Sequence, residues 1–218
     1  MPLRYGGIVP NTIRCNGVEV NKITYNGIEI WTSKIFLSDY QYKLRDIYSL
    51  SGEYKTMTRF VAREHKYDTS KLTTMESFFW CCDAIEYIDI TGWNTANVTS
   101  TYDMCRSCEK LQTINMSGLD TRNIKSMECM FDRCKSLTTV DMTGCDTSNV
   151  KSFYCMFNGC ENLTQIKGVL DLRSASGTFP FNHMFDNCSK LTGVQIRNPP
   201  ADFAKYSGLQ SHQYTIVS

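Results

Sequence analysis

A surplus of charge is what this sequence most lacks: 23 Lys and Arg stand against 22 Asp and Glu, a formal charge of +1. With no basic or acidic excess there is no field to gather a polyanion, which argues against nucleic acid and anionic membrane surfaces as partners. Long apolar runs are missing as well. No stretch approaches the roughly 18 residues of a membrane span. The opening Met1-Pro2-Leu3-Arg4-Tyr5-Gly6-Gly7 has no apolar core of a secretory signal. Unless a signal was removed ahead of this numbering, synthesis in a cytoplasm is expected. Histidine is scarce: His65, His183 and His212 are the only three, and none sits in a nucleophile, zinc or phosphate-binding motif. Gly6-Gly7 is no phosphate loop. We therefore expect no catalytic residues, no cofactor and no metal site, with a Cys/His hydrolase as the sharpest enzymatic alternative.

Cysteine, by contrast, is abundant, with 11 residues in 218. A chain of this length buries enough surface for a core without disulfide staples, and an odd count fits a disulfide framework poorly. The spacing decides the matter. Cys82, Cys108, Cys134 and Cys160 fall at intervals of 26, and Cys188 follows after 28. A disulfide framework has no reason to be periodic; an internal repeat has. Even the Cys-x-x-Cys of Cys105 and Cys108 lies inside the repeat. The thiols are expected to be reduced, because side chains stacked in parallel offer a poor S–S torsion.

The other columns agree with this step. Asp68-Thr69-Ser70-Lys71-Leu72, Asn94-Thr95-Ala96-Asn97-Val98, Asp120-Thr121-Arg122-Asn123-Ile124 and Asp146-Thr147-Ser148-Asn149-Val150 recur every 26 residues. Phe78, Met104, Met130 and Met156 come ten residues after each opening Asp or Asn. Beyond the Cys column stand Ile85, Leu111, Leu137, Leu163 and Leu191, then Ile88, Ile114, Val140, Ile166 and Val194. Ile90, Met116, Met142 and Ile196 complete the signature in four of five copies. A unit this short cannot close a core alone and must stack on its neighbours, so the fold class expected is an α/β repeat solenoid. In Leu137-Thr138-Thr139-Val140-Asp141-Met142 the apolar side chains alternate, which predicts one short strand per coil and a parallel sheet along one face. Val150 to Phe157 has apolar residues near helical spacing, which predicts short helices or helical turns on the opposite face. Asp/Asn-Thr-x-Asn suits the bend between the two, where these side chains bond to backbone N–H groups. Asn97, Asn123 and Asn149 are expected to stack as a structural ladder. Cys82, Cys108, Cys134, Cys160 and Cys188 should do the same as small buried apolar groups.

The segment Asp146-Thr147-Ser148-Asn149-Val150-Lys151-Ser152-Phe153-Tyr154-Cys155-Met156-Phe157-Asn158-Gly159-Cys160-Glu161-Asn162-Leu163-Thr164 resembles the repeat of BspA-like leucine-rich-repeat proteins. Such repeats occur in bacterial surface proteins and in phage or prophage structural genes. The resemblance spans Asp68 to Arg197. It implies a leucine-rich-repeat-like solenoid of about five units and, for function, only protein or surface recognition. The last unit departs from the pattern, with 13 residues from Asp171 to Met184 where earlier copies have ten. The intervening Ser176-Gly177-Thr178-Phe179-Pro180 is expected to bulge on the convex side.

Residues 1–33 read differently. Cys15-Asn16-Gly17-Val18-Glu19-Val20 and Tyr25-Asn26-Gly27-Ile28-Glu29-Ile30-Trp31 place Asn-Gly between alternating apolar residues, which predicts two linked β-hairpins. Val20-Asn21-Lys22-Ile23-Thr24-Tyr25-Asn26-Gly27-Ile28-Glu29-Ile30-Trp31 is similar to short stretches in phage tail and other virion-associated proteins. Val18, Val20, Ile28, Ile30 and Trp31 carry more apolar surface than two hairpins hide, so residues 1–33 are read as an assembly element. Residues 34–67, with a helix from Ser38 to Tyr48, are read as the N-terminal cap, and 198–218 as the C-terminal cap. The latter should hold a short helix over Ala201 to Tyr206 and a strand over Gln213 to Val217. Such atypical ends suggest a complete chain.

The expected function is that of a non-enzymatic structural or recognition protein of a phage or prophage particle, assembled in the host cytoplasm and carried in the virion. Its partners would be other virion proteins through residues 1–33, within an oligomeric assembly, and a host-surface protein or glycan. The alternative is a BspA-like adhesin or interaction module at a bacterial cell surface. The candidate binding face is the outward side of the sheet, formed by Tyr87, Thr113, Thr139 and Gln165 and by Asp89, Asn115, Asp141, Lys167 and Gln195.

Overall fold

The computed structural model describes residues 57–64 and 67–218 and, before them, four strands as backbone. These are β1 (Ile8–Pro10), β2 (Lys22–Tyr25), β3 (Ile28–Trp31) and β4 (Ile35–Phe36). β1, β2 and β3 pair antiparallel in that order, with Tyr25 opposite Ile28 and Lys22 opposite Trp31. The hairpin at Asn16-Gly17, residues Val18 and Val20, and the helix from Ser38 to Tyr48 lie outside the described residues.

From residue 57 onward the chain winds as a parallel-strand solenoid of about five turns. β5 (Arg59–Val61) opens the stack, inside the segment read as a cap, and β6 (Tyr67–Asp68) pairs in parallel with β4. β7 (Tyr87–Asp89), β8 (Thr113–Asn115), β9 (Thr139–Asp141) and β10 (Gln165–Lys167) follow, one per coil. Together they form a five-stranded parallel sheet in the order β10-β9-β8-β7-β5. The register aligns Phe60, Ile88, Ile114, Val140 and Ile166, all buried, and leaves the residues on either side of each to face outward or close the next turn.

Gly168 ends this sheet. It stands where Ile90, Met116 and Met142 stand in earlier coils, at φ +103°, and a Cβ there would meet the Met142 carbonyl oxygen at 2.7 Å. Only glycine tolerates both the conformation and the approach. The chain then restarts as β11 (Val169–Asp171), which pairs in parallel with β12 (Val194–Arg197), and β12 with β13 (Tyr214–Ile216). The C-terminal segment also holds a four-residue helix, α1 (Phe203–Tyr206).

The face opposite the sheet is built from consecutive turns with no helix among them, in place of the expected short helices or helical turns. In the third coil the N–H groups of Met127, Cys129, Phe131 and Arg133 donate to the carbonyls of Ser152, Tyr154, Met156 and Asn158 on the next coil, at 2.7–3.0 Å. Those of Met130, Asp132 and Cys134 donate three residues back within their own coil. A helix needs every N–H to point back along its own axis. Here alternate groups point to the neighbour, which requires left-handed backbone at Cys129 (φ +52°) and Arg133 (φ +61°) and at their counterparts Asp103, Ser107, Cys155 and Gly159. Apolar spacing resembled a helix because a turn also returns every third or fourth side chain to the core.

Between the two faces the core is continuous. Phe131, Phe157 and Phe185 stack with ring centroids 5.3 Å apart. The core is closed at one end by edge contacts of Phe60 with Phe79 and Trp93. At the other end Phe203 packs on Phe181 and Tyr214, and buried Gln213 donates to the carbonyls of Cys188 and Leu191.

At the coil corners Thr69, Thr95, Thr121 and Thr147 are buried. Thr121 Oγ1 accepts the Asp146 N–H at 2.7 Å and donates to the Asp146 carbonyl at 2.9 Å, and Thr147 treats Asp171 the same way. Thr121→Val keeps the shape and strands both backbone groups of Asp146. A loss of about 1–3 kcal/mol is expected in urea denaturation, with most of it recovered in Thr121→Ser; an unchanged Thr121→Val midpoint would contradict this role.

Candidate functional site

On the sheet face the outward positions divide into two kinds. The Asp and Asn column is committed to closing the turns after each strand. Asp89 is buried and accepts the Thr91 N–H at 3.0 Å and the Thr91 hydroxyl at 2.6 Å, with Arg63 Nη2 at 3.8 Å. Asn115 accepts from the Ser117 N–H at 3.1 Å and Asp141 from the Thr143 N–H at 3.0 Å, with Lys167 Nζ at 3.4 Å from Asp141. Burial opposes ionisation of Asp141, but the Thr143 and Lys167 hydrogen bonds outweigh it and hold the carboxyl below its ordinary range. The other column starts at Tyr87, whose ring lies 5.4 Å from the Arg59 guanidinium and whose hydroxyl donates to Asp89. Thr113 and Thr139, half-buried, and Gln165, exposed, continue it. Gln195 does not join them: it lies in β12, opposite Val169 and Thr215, because Gly168 has already ended the first sheet.

The Asn and Cys columns hold coil to coil. Asn97, Asn123 and Asn149 each donate a side-chain N–H to a carbonyl of the preceding coil, those of Ser70, Ala96 and Arg122. Cys108, Cys134, Cys160 and Cys188 are buried and donate their S–H to the carbonyls of Phe79, Cys105, Phe131 and Phe157 at 2.9–3.1 Å. Cys82, at the head of the column, is also buried. Of the assembly residues, Ile28, Ile30 and Trp31 lie in β3.

Sequence reasoning passed over the turn face. Tyr102 and Tyr154 occupy one column there, with Glu128 between them, and both are exposed. In the last coil Asn182 takes this position, and the next residue, His183, has its ring at 6.1 Å from that of Tyr154 and its Nδ1 at 2.7 Å from Asp186 Oδ2. Beneath them buried Asp132 receives Arg106 Nε at 3.1 Å and Asn158 Nδ2 at 2.8 Å. The insertion resolves to Gly177-Thr178-Phe179: Ser176 keeps the coil-to-coil bond to Lys151, Pro180 resumes it with Phe153, and all three residues between are exposed. Two tyrosines at twice the repeat length were the available signal. The alternation of core and corner positions drew attention to the sheet instead.

A family described as Mycoplasma protein of unknown function, DUF285, matches residues 46–169 and 84–198, together most of the solenoid and more than half of the chain. The protein belongs to this family. Neither curated proteins nor solved structures provide a match. Among the described residues no group of three or more His, Cys, Asp or Glu side chains is placed to hold a metal ion. No helix among them is long and apolar enough to cross a membrane.

Burial raises the Cys129 and Cys188 thiols to about 12 and Cys145 to about 11, and pushes Cys105, Cys134 and Cys160 up as well. At pH 8 native Cys129 and Cys188 should alkylate on the order of a thousandfold more slowly than free cysteine, with rates still rising with pH beyond 9. An unfolded thiol loses its proton near its ordinary pKa of about 8.5, while the folded one keeps it to about 12. The unfolded state then binds fewer protons, so stability present below the unfolded pKa is lost as pH climbs through this window. Urea midpoints should fall between pH 8 and 11, less steeply in Cys188→Ala than in the parent; equal slopes would count against the thiol as the source.

Proposed function

We propose that the protein is a non-enzymatic recognition protein whose solenoid, of the BspA-like leucine-rich-repeat type, displays a binding surface. The observation that carries this reading is the hydrogen bonding of successive coils along both long faces, which makes a stiff platform with the thiols of Cys108, Cys134, Cys160 and Cys188 spent on packing and backbone carbonyls. Residues 1–33 then attach it to a phage or prophage particle, a role supported by their similarity to virion-associated segments and by the antiparallel pairing of β1, β2 and β3 as an element apart from the solenoid sheets. The second reading, a bacterial surface adhesin or interaction module, is favoured by the match to a family described from Mycoplasma.

Particles purified from an induced host culture separate the two. Under the particle reading the protein co-sediments with them and removal of residues 1–33 leaves it behind. Recovery only with the cell envelope would sink that reading in favour of the second.

A further inference from the structure

Tyr102 and Tyr154 are 38% and 40% exposed and stand in one column of the turn face, two coils apart. Their positions are fixed by the backbone. Each N–H bonds to a serine hydroxyl two residues earlier, Ser100 and Ser152. The residues that follow, Asp103 and Cys155, hold left-handed φ of +54° and +52°. The Asp103 N–H reaches the Glu128 carbonyl at 3.0 Å and the Cys129 N–H reaches that of Tyr154 at 2.8 Å, so coils are spaced on this face as strands are in a sheet. Two such steps place the tyrosine backbones about 9.5 Å apart along the solenoid axis.

We infer that this column binds a neutral, linear, β-1,4-linked glycan lying along the axis, with Tyr102 and Tyr154 each stacking on a pyranose ring. In such a ribbon alternate rings present the same face, so like faces recur once per disaccharide, a length close to two coils. A pyranose covers an aromatic ring with its C–H face while its hydroxyls reach sideways for acceptors and donors. Glu128 lies between the tyrosines in the column, and His183, held by Asp186, flanks Tyr154. Arg106, whose charge acts on Tyr102, is paired with Asp103 and Asp132, so the carboxylates of the column itself, Glu76 and Glu128, disfavour acidic glycans. An amphipathic helix would need a contiguous apolar patch, and the tyrosines here alternate with Glu76 and Glu128. This inference rests on the recognition reading but places the ligand on the turn face instead of the sheet.

Affinity electrophoresis of the full chain in gels containing hydroxyethylcellulose, with carboxymethylcellulose as the acidic counterpart, tests it. Retardation by the neutral polymer and weaker retardation by the acidic one are expected. Tyr102→Ala and Tyr154→Ala should each weaken binding by roughly tenfold with thermal melting unchanged, since both side chains are exposed. No retardation by the neutral polymer, or retardation that survives the double variant, overturns the inference. Loss of binding in Thr139→Lys with the tyrosine variants unaffected overturns it too, by moving the ligand to the sheet. Either failure, alongside co-sedimentation with particles or recovery with the envelope, leaves the recognition reading standing.

Discussion

Alternate backbone N–H groups on the turn face leave their own coil for the next, and the rest of the structure depends on that exchange. A helix would have satisfied each coil internally and left the faces to pack by side chains alone. Here the sheet bonds coils on one side and the turns bond them on the other, so the repeat is locked at one spacing as far as the break at Gly168. The requirement for left-handed backbone twice per coil follows from it. So do the small or polar residues at those positions, such as Asp103, Ser107, Cys129, Cys155 and Gly159.

Locking the spacing turns side chains at equivalent positions into axial bonds. Thr121 pairs with both backbone groups of Asp146, Asn123 reaches back to Ala96, and Cys134 reaches back to the Cys105 carbonyl. That carbonyl already accepts the Cys108 N–H, so the thiol uses its remaining lone pair. Cysteine suits the place because it packs as a small apolar group and still carries a weak donor. The raised thiol pKa values are the consequence of the same burial.

This rigidity bears on recognition through the order it gives to exposed groups. Columns of side chains recur at a fixed distance on both long faces, but the faces differ in what they leave outward. Asp89, Asn115 and Asp141 are drawn into the turns that follow their strands, and Tyr87 is engaged by Arg59 and Asp89. On the turn face Tyr102 and Tyr154 remain exposed, and the serine two residues before each accepts its backbone N–H.

The 26-residue step, the inward columns and the parallel strands were legible in the sequence, because stacking forces equivalent residues into equivalent surroundings and so imprints a period. Val140 and Met142 announce their burial by alternation, and Cys134 by recurrence. The turn face was not legible: apolar spacing in Val150 to Phe157 fits a helix and a run of turns equally well, and only the neighbouring coil decides where alternate N–H groups go. Nor did sequence reveal the break in the sheet, since Gly168 reads as a gap in an apolar column until the Met142 carbonyl is seen at its back. The sequence by itself determined the repeat and its core, which are local and periodic. Tertiary structure decided which outward residues are consumed by turns and which remain exposed, because hydrogen bonds between coils join residues about 26 apart and no local pattern records them.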